Sequence, residues 1–188
     1  MSSVAFEDLQ YAHRLVADRV RFSSGLHLNF SLISIITAGF IFGIYDGYLS
    51  TPLLLGWSIG LIVVVLLEMG LYTAYLFYED SVSVTTWERM VLLLNLLSCL
   101  GIGCGIWLVA WGGSDLFLPI NIVILVYAVL LYGMHLFNVR TFVVCLLGLL
   151  LPAILFYALN SGAEGIFYMM AFILVGLMLS SCAVISSQ

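Results

Sequence analysis

Along most of this chain the polar residues do not alternate with the apolar ones. They gather in short interruptions between six long apolar runs, at about 26–45, 52–78, 90–111, 117–137, 142–159 and 166–186. Each run approaches the ~20 residues that a helix needs to cross a hydrocarbon layer. In hydrocarbon every backbone donor and acceptor must find a partner within the protein, which leaves helices and closed barrels. A barrel would show strands of roughly ten residues alternating apolar with polar, and the sequence has no such stretches. The pattern predicts an all-α integral membrane protein with six transmembrane helices. The interruptions read "DGYLST", "EDSVSVTTWER", "GGSD", "NVRT" and "NSGAEG". Connections this short make sequential helices antiparallel neighbours.

Residues 4–22 follow another rhythm. Phe6, Leu9, His13, Val16 and Val20 recur every three or four residues, while Glu7, Asp8, Arg14, Asp18, Arg19 and Arg21 supply charge elsewhere around the turn. This predicts an amphipathic helix lying on the cytoplasmic leaflet, with a short coiled-coil stem between two protomers as the rival reading. The chain therefore divides into an interfacial helix, residues 1–25, and a six-helix transmembrane domain, residues 26–188.

Charge fixes the expected orientation. Only 8% of the 188 residues are charged and 64% are hydrophobic, against roughly 25% charged in soluble domains. Lysine is absent, and the five arginines are Arg14, Arg19, Arg21, Arg89 and Arg140. On a six-span reading all five fall on one side, while the opposite loops carry Asp46, Asp115 and Glu164. The positive-inside rule then places both termini in the cytoplasm of a bacterial inner membrane. Trp57, Trp87, Trp107, Trp111, Tyr45, Tyr48, Tyr75 and Tyr78 fall near span boundaries, as an aromatic belt would. No cleavable signal peptide is expected, since the first ~20 residues carry mixed charge and the first apolar run is long enough to span. There is no basic patch of the kind that nucleic-acid binding needs.

One carboxylate interrupts the apolar runs. Glu68 lies in "VVVLLEMGLYTAY", and a charged acid near the bilayer centre costs at least ~2.5 kcal/mol. It must face the interior, neutral or paired, with Asn95 and His135 as candidate partners at similar depth. On the six-span reading His27, Asn29, Ser31, Ser34, Glu68, Tyr72, Asn95, Ser98 and His135 all belong to the cytoplasmic half. Three glycine pairs four residues apart, Gly39 with Gly43, Gly56 with Gly60 and Gly101 with Gly105, belong to the outer half. Small residues let helix backbones approach closely in lipid. The expectation is a bundle pinched outside and splayed inside, with a polar-floored cavity that takes a small amphiphilic ligand through Glu68, Tyr72, Asn95, His135, His27 and Asn29. The rival reading makes the same groups plain interhelical hydrogen bonds.

Other chemistries find less support. The segment "GIGCGIW" imitates a nucleotide loop but lies inside a span with no preceding strand. His27 and His135 are the two histidines that two helices would offer a haem, although lone histidines at an interface usually serve as polar anchors. Cys99, Cys104, Cys145 and Cys182 lie in apolar runs and form no C-x-x-C pair, so they read as free, buried, small hydrophobes. Pro152, well inside the fifth run, should kink its helix and free a carbonyl. No nucleophile stands beside a base, and no cofactor, metal site or catalytic set is expected.

A set of scattered positions carries a resemblance. Arg19 and Arg21 precede the first span, Trp57 opens the second, and "TTWERM" at 85–90 precedes a glycine-rich span ending "GIW" at 105–107. Pro119 heads the fourth span, and "LLLP" at 149–152 lies in the fifth. This resembles the six-helix membrane input regions found ahead of bacterial diguanylate cyclases and sensor histidine kinases. Such regions often carry a basic residue near position 68, so Glu68 marks a departure. The resemblance implies a sensory module, working as a homodimer, that passes a lipid-derived or small amphiphilic signal through its last helix. A cytoplasmic output beyond Gln188 would then be expected. Gly176 and Ser180 offer a small-residue face on that helix. The alternative is the substrate-binding component of a small-molecule membrane transporter, which would capture its substrate near the outer face, where polar groups are few.

Overall fold

The computed structural model describes residues 32–78, 82–112, 117–134, 139–160 and 162–186. Helix α1 covers Leu32–Tyr45. It is followed by α2 (Thr51–Tyr78), α3 (Val84–Gly103), α4 (Gly105–Trp111), α5 (Leu118–Met134), α6 (Val139–Leu159) and α7 (Ala163–Ser186). No strand occurs among the described residues. Four stretches are long and apolar enough to cross a membrane: Pro52–Tyr78, Thr85–Trp111, Thr141–Leu159 and Gly165–Ala183. The apolar stretches Leu32–Tyr45 and Leu118–Tyr132 are shorter. Large hydrophobic side chains such as Ile36, Phe40, Phe77, Leu174 and Leu177 stand exposed around the bundle. So broad an apolar surface suits a hydrocarbon solvent rather than water. The amphipathic helix expected at 4–22 lies outside the described residues, as do His27, Asn29 and His135.

Side-chain contacts set the helix directions. Between α2 and α3, Leu61 meets Gly101 and Tyr75 meets Trp87, so the two are antiparallel. Asn121 bonds Tyr157, and Tyr132 packs on Phe142, which makes α5 antiparallel to α6. Tyr157 stacks on Tyr168 while Leu150 reaches Gly176, so α7 returns along α6. Ser34 bonds Tyr127, and Tyr45 bonds the backbone of Ile120, so α1 is antiparallel to α5. Helices α3 and α6 are parallel: Gly103 lies against Leu149, and Trp107 against Phe156. Sequential passes therefore alternate in direction, as the short connections require. Helix α6 packs among α3, α5 and α7, whereas α2 rests mainly on α3. One end of the bundle carries the Asp46 turn, which Gly47 closes with a φ of 86° in the left-handed region that glycine tolerates. The other end carries Trp87.

The third helical stretch differs from expectation at its start and in its interior, while its end at Trp111 is as anticipated. It begins at Val84 rather than residue 90, because Ser83 caps it by accepting from the Thr86 amide at 3.3 Å. "TTWER" is thus the opening of a helix and not a loop. The pass then breaks at Cys104, between α3 and α4. Near the break the Trp57 indole donates to the Gly101 carbonyl oxygen at 2.8 Å. Trp107 donates at 2.9 Å to the carbonyl oxygen of Pro152, which lies inside α6. Two of the presumed belt tryptophans are therefore spent inside the bundle on backbone carbonyls. Trp87, Tyr45 and Tyr75 are buried as well, and only Trp111, Tyr48 and Tyr78 remain exposed as a belt would be.

The glycine expectation is corrected too. A Cβ placed on Gly39, Gly43, Gly56 or Gly60 would meet nothing within 4 Å, and all four lie on the bundle exterior. They do not draw α1 and α2 onto their neighbours. Gly101 and Gly105 do pack: a Cβ there would come 2.7 Å from Leu61 Cδ2 and 2.8 Å from Ile120 Cδ1. The tightest crossing uses two glycines outside the four-residue motifs. A Cβ on Gly103 would run into the Leu149 carbonyl, and one on Gly148 would lie 2.6 Å from Leu96 Cδ1. Pro152 has no amide to offer the Gly148 carbonyl, and that same stretch of backbone is where α3 comes closest.

Candidate functional site

Helix α2 buries one narrow face, made by Leu54, Ser58, Leu61, Val65 and Glu68 at alternating spacings of four and three. Its first turns join the main core through Leu53, Leu54, Trp57 and Leu61. Its last turns form a separate cluster, in which Leu71, Ala74 and Tyr75 pack with Val82 and Trp87. Glu68 falls in the interval between the two clusters and is 7% exposed. Facing it, α3 buries Asn95, Ser98, Cys99 and Ile102. Ser98 Oγ donates to Glu68 Oε1 at 2.7 Å.

The carboxylate belongs to a larger polar layer. The Ser34 and Tyr127 hydroxyls bond one another between α1 and α5. Cys99 on α3 and Cys145 on α6 are both fully buried. Glu68 is close enough to both Cys99 and Tyr127 to interact with them electrostatically. Five helices thus send a carboxylate, hydroxyls and thiols toward one level of the bundle. Buried polar groups in hydrocarbon must be paired with one another, and here they are. A serine beside a carboxylate has no imidazole to carry its proton, so the arrangement suits binding better than acyl transfer.

The expected site residues are only partly brought together. Glu68 faces inward as anticipated, and Ser98 is one partner of its carboxylate. Asn95 is buried on the same face of α3, one turn from Ser98. Tyr72 is half-buried one turn along α2, toward the Trp87 end. His27, Asn29 and His135 lie outside the described residues. Tyr127 was not anticipated, although a tyrosine in mid-span is itself a signal, because a buried phenol seeks a partner. The cysteines separate into two classes: Cys99 and Cys145 are buried, while Cys104 and Cys182 are exposed, and all four are free thiols. The reading of all four as buried is corrected, because Cys104, at the break between α3 and α4, and Cys182, on α7, turn outward.

A second polar site lies nearer the Asp46 end. Asn121 Nδ2 donates to the Tyr157 hydroxyl at 2.5 Å, within an aromatic cluster that includes Tyr168 and Phe172. Its Oδ1 is buried without a hydrogen-bond partner, as is Ser58 Oγ. Among the described residues, no three of His, Cys, Asp and Glu converge to hold a metal ion. The fold and the polar layer define an all-helical protein with four apolar stretches long enough to cross a membrane and a buried acid between two of its helices. No family model matches the chain, and neither a curated protein nor a solved structure matches it.

Proposed function

We propose that this protein is a sensory input module of a bacterial inner membrane. Six passes cross the bilayer and both termini face the cytoplasm. Arg89 and Arg140 support that orientation: they lie near the starts of the parallel helices α3 and α6, at the end opposite Asp46. A small amphiphilic or lipid-derived molecule enters between α2 and α3, and its polar group exchanges with Ser98 for the Glu68 carboxylate. The observation that carries this reading is the position of Glu68, in the gap between two apolar clusters on one helix pair. Continuous apolar packing would resist a guest there, whereas a hydrogen-bonded interval accepts one with little loss of contact. The signal follows from unequal affinity of the ligand for two packings of α2 against α3. A homodimer passes it to a cytoplasmic output through α7, as in the input regions that the chain resembles.

Native mass spectrometry of the full chain extracted from its own membranes tests the ligand step. The expected result is a small amphiphile retained by the wild type, lost in Glu68→Ala and kept in Gly39→Ala. Equal retention in all three, or only bulk phospholipid, would contradict it. One observation favours the transport reading instead: the unpartnered Asn121 Oδ1 at the Asp46 end is an acceptor placed where an importer subunit would capture substrate.

A further inference from the structure

A guest that enters between α2 and α3 must bring a polar group suited to Glu68, and the surroundings of that acid restrict which. Ser98 Oγ donates to Glu68 Oε1 at 2.7 Å, in the interval between the two apolar clusters of the helix pair. The interval lies close to lipid. Leu67 on α2 and Leu97 on α3, the chain neighbours of the acid and of its serine, are 55% and 42% exposed, and Glu68 itself keeps 7%. Helix α2 buries a single narrow face and rests mainly on α3, so a guest arrives sideways from the hydrocarbon past one layer of side chains. Tyr72 is half-buried one turn further along α2. Side chains on a helix lean toward its N-terminus, which carries that phenol toward the Glu68 turn as a further acceptor. We propose that this opening takes a lipophilic primary amine, whose ammonium pairs with the Glu68 carboxylate.

Comparison of head groups carries the choice. An alcohol repeats the hydroxyl of Ser98, so the exchange gains no bond to offset the freedom that the guest loses. A fatty carboxylate brings a second negative charge to the first, and two acids sit together only by sharing a proton. An ammonium instead makes charge-assisted hydrogen bonds, roughly twice as strong as neutral ones. It carries three N–H donors, and the Glu68 carboxylate, the Ser98 hydroxyl oxygen and the Tyr72 phenol are acceptors on the two helices. Charge balances whichever form the site starts from. A protonated Glu68 gives its proton to the entering free amine: the O–H bond breaks and an N–H bond forms. An ionised Glu68 receives the ammonium directly. Both routes end in one ion pair with no net charge, the form in which ionic groups persist in hydrocarbon.

The amine assignment rests on the ligand reading of the same site, and its test separates the two. The full chain in phosphatidylcholine nanodiscs is equilibrated with tritiated dodecylamine, dodecanol or dodecanoic acid, which share one tail, and binding to empty nanodiscs is subtracted. Dodecylamine should bind saturably and at least about tenfold more tightly than dodecanol, with dodecanoic acid weakest. This ranking is read on the wild type and needs no variant. Glu68→Gln, which keeps an acceptor oxygen but not the charge, should bring dodecylamine down to the level of dodecanol. Dodecanol or dodecanoic acid held as tightly as the amine, and released by Glu68→Gln, would overturn the amine assignment and leave the ligand reading standing. Amine binding that survives Glu68→Gln would overturn the assignment as well. Saturable retention of none of the three would overturn both.

Discussion

Helix α3 has two neighbours and treats them differently. Toward α6 it presents Cys99, Gly103 and, through α4, Trp107, and the contact is continuous and close enough that backbone meets backbone. Toward α2 it presents Trp87, Ser98 and Gly101, and the contact is apolar at both ends with an acid between. In lipid no hydrophobic force presses helices together, so van der Waals fit and hydrogen bonds decide which interfaces hold. The α3–α6 contact has the fit. The α2–α3 contact carries in its middle a hydrogen bond from Ser98 to a carboxylate. A signal that needs one interface to yield while another stays fixed finds both on a single helix.

The largest effect is expected at the fixed interface. Gly103→Val would drive a branched side chain into the Leu149 carbonyl and should cost at least about 1–3 kcal/mol, read as the unfolding midpoint in mixed detergent micelles. Gly39→Val, on the exterior, should stay within about 0.5 kcal/mol of wild type. If the two glycines prove equally sensitive, the assignment of the close interface fails.

At the yielding interface, Glu68→Ala leaves the buried Ser98 hydroxyl without that acceptor and should cost about 1–3 kcal/mol by the same assay. Glu68→Gln keeps an acceptor oxygen and should cost less than Glu68→Ala. Equal losses would mean that charge, rather than the hydrogen bond, holds α2. Smaller effects are expected at the indoles. Trp57→Phe and Trp107→Phe each remove a hydrogen bond to a backbone carbonyl while keeping an aromatic ring, and each should cost about 0.5–1.5 kcal/mol. A neutral result at both would leave the helix break at Cys104 held by packing alone.

How much of this was legible in the sequence differs from feature to feature. Apolar run length anticipated the described helices, four stretches of which are long and apolar enough to cross a membrane, because in hydrocarbon the backbone must close its own hydrogen bonds. The inward turn of Glu68 followed from the cost of exposing an acid to lipid. The bond from Ser98 was not anticipated, since Asn95, Ser98 and Ser34 are all short polar residues and only packing decides which of them reach the carboxylate. The four-residue glycine spacing was misleading on α1 and α2. That spacing states that a helix has a smooth stripe, not that another helix lies against it. Gly103 and Gly148, outside any such pair, lie where α3 and α6 come together, because the partner backbone happens to pass there. The tryptophans were read as an interfacial belt from their positions near run ends, but Trp57 and Trp107 turn inward to donate to the carbonyls of Gly101 and Pro152.

The contrast between the two interfaces is open to one direct measurement. Genetically encoded ketone side chains at Phe77 and Met90 would carry spin labels across α2 and α3, and a second pair at Leu97 and Leu147 would span α3 and α6; all four positions are exposed. Electron–electron resonance distances would be compared between wild type and Glu68→Ala. The account predicts that the first distribution broadens or shifts while the second stays unchanged. An unchanged distance between α2 and α3, or equal movement at both pairs, would contradict it.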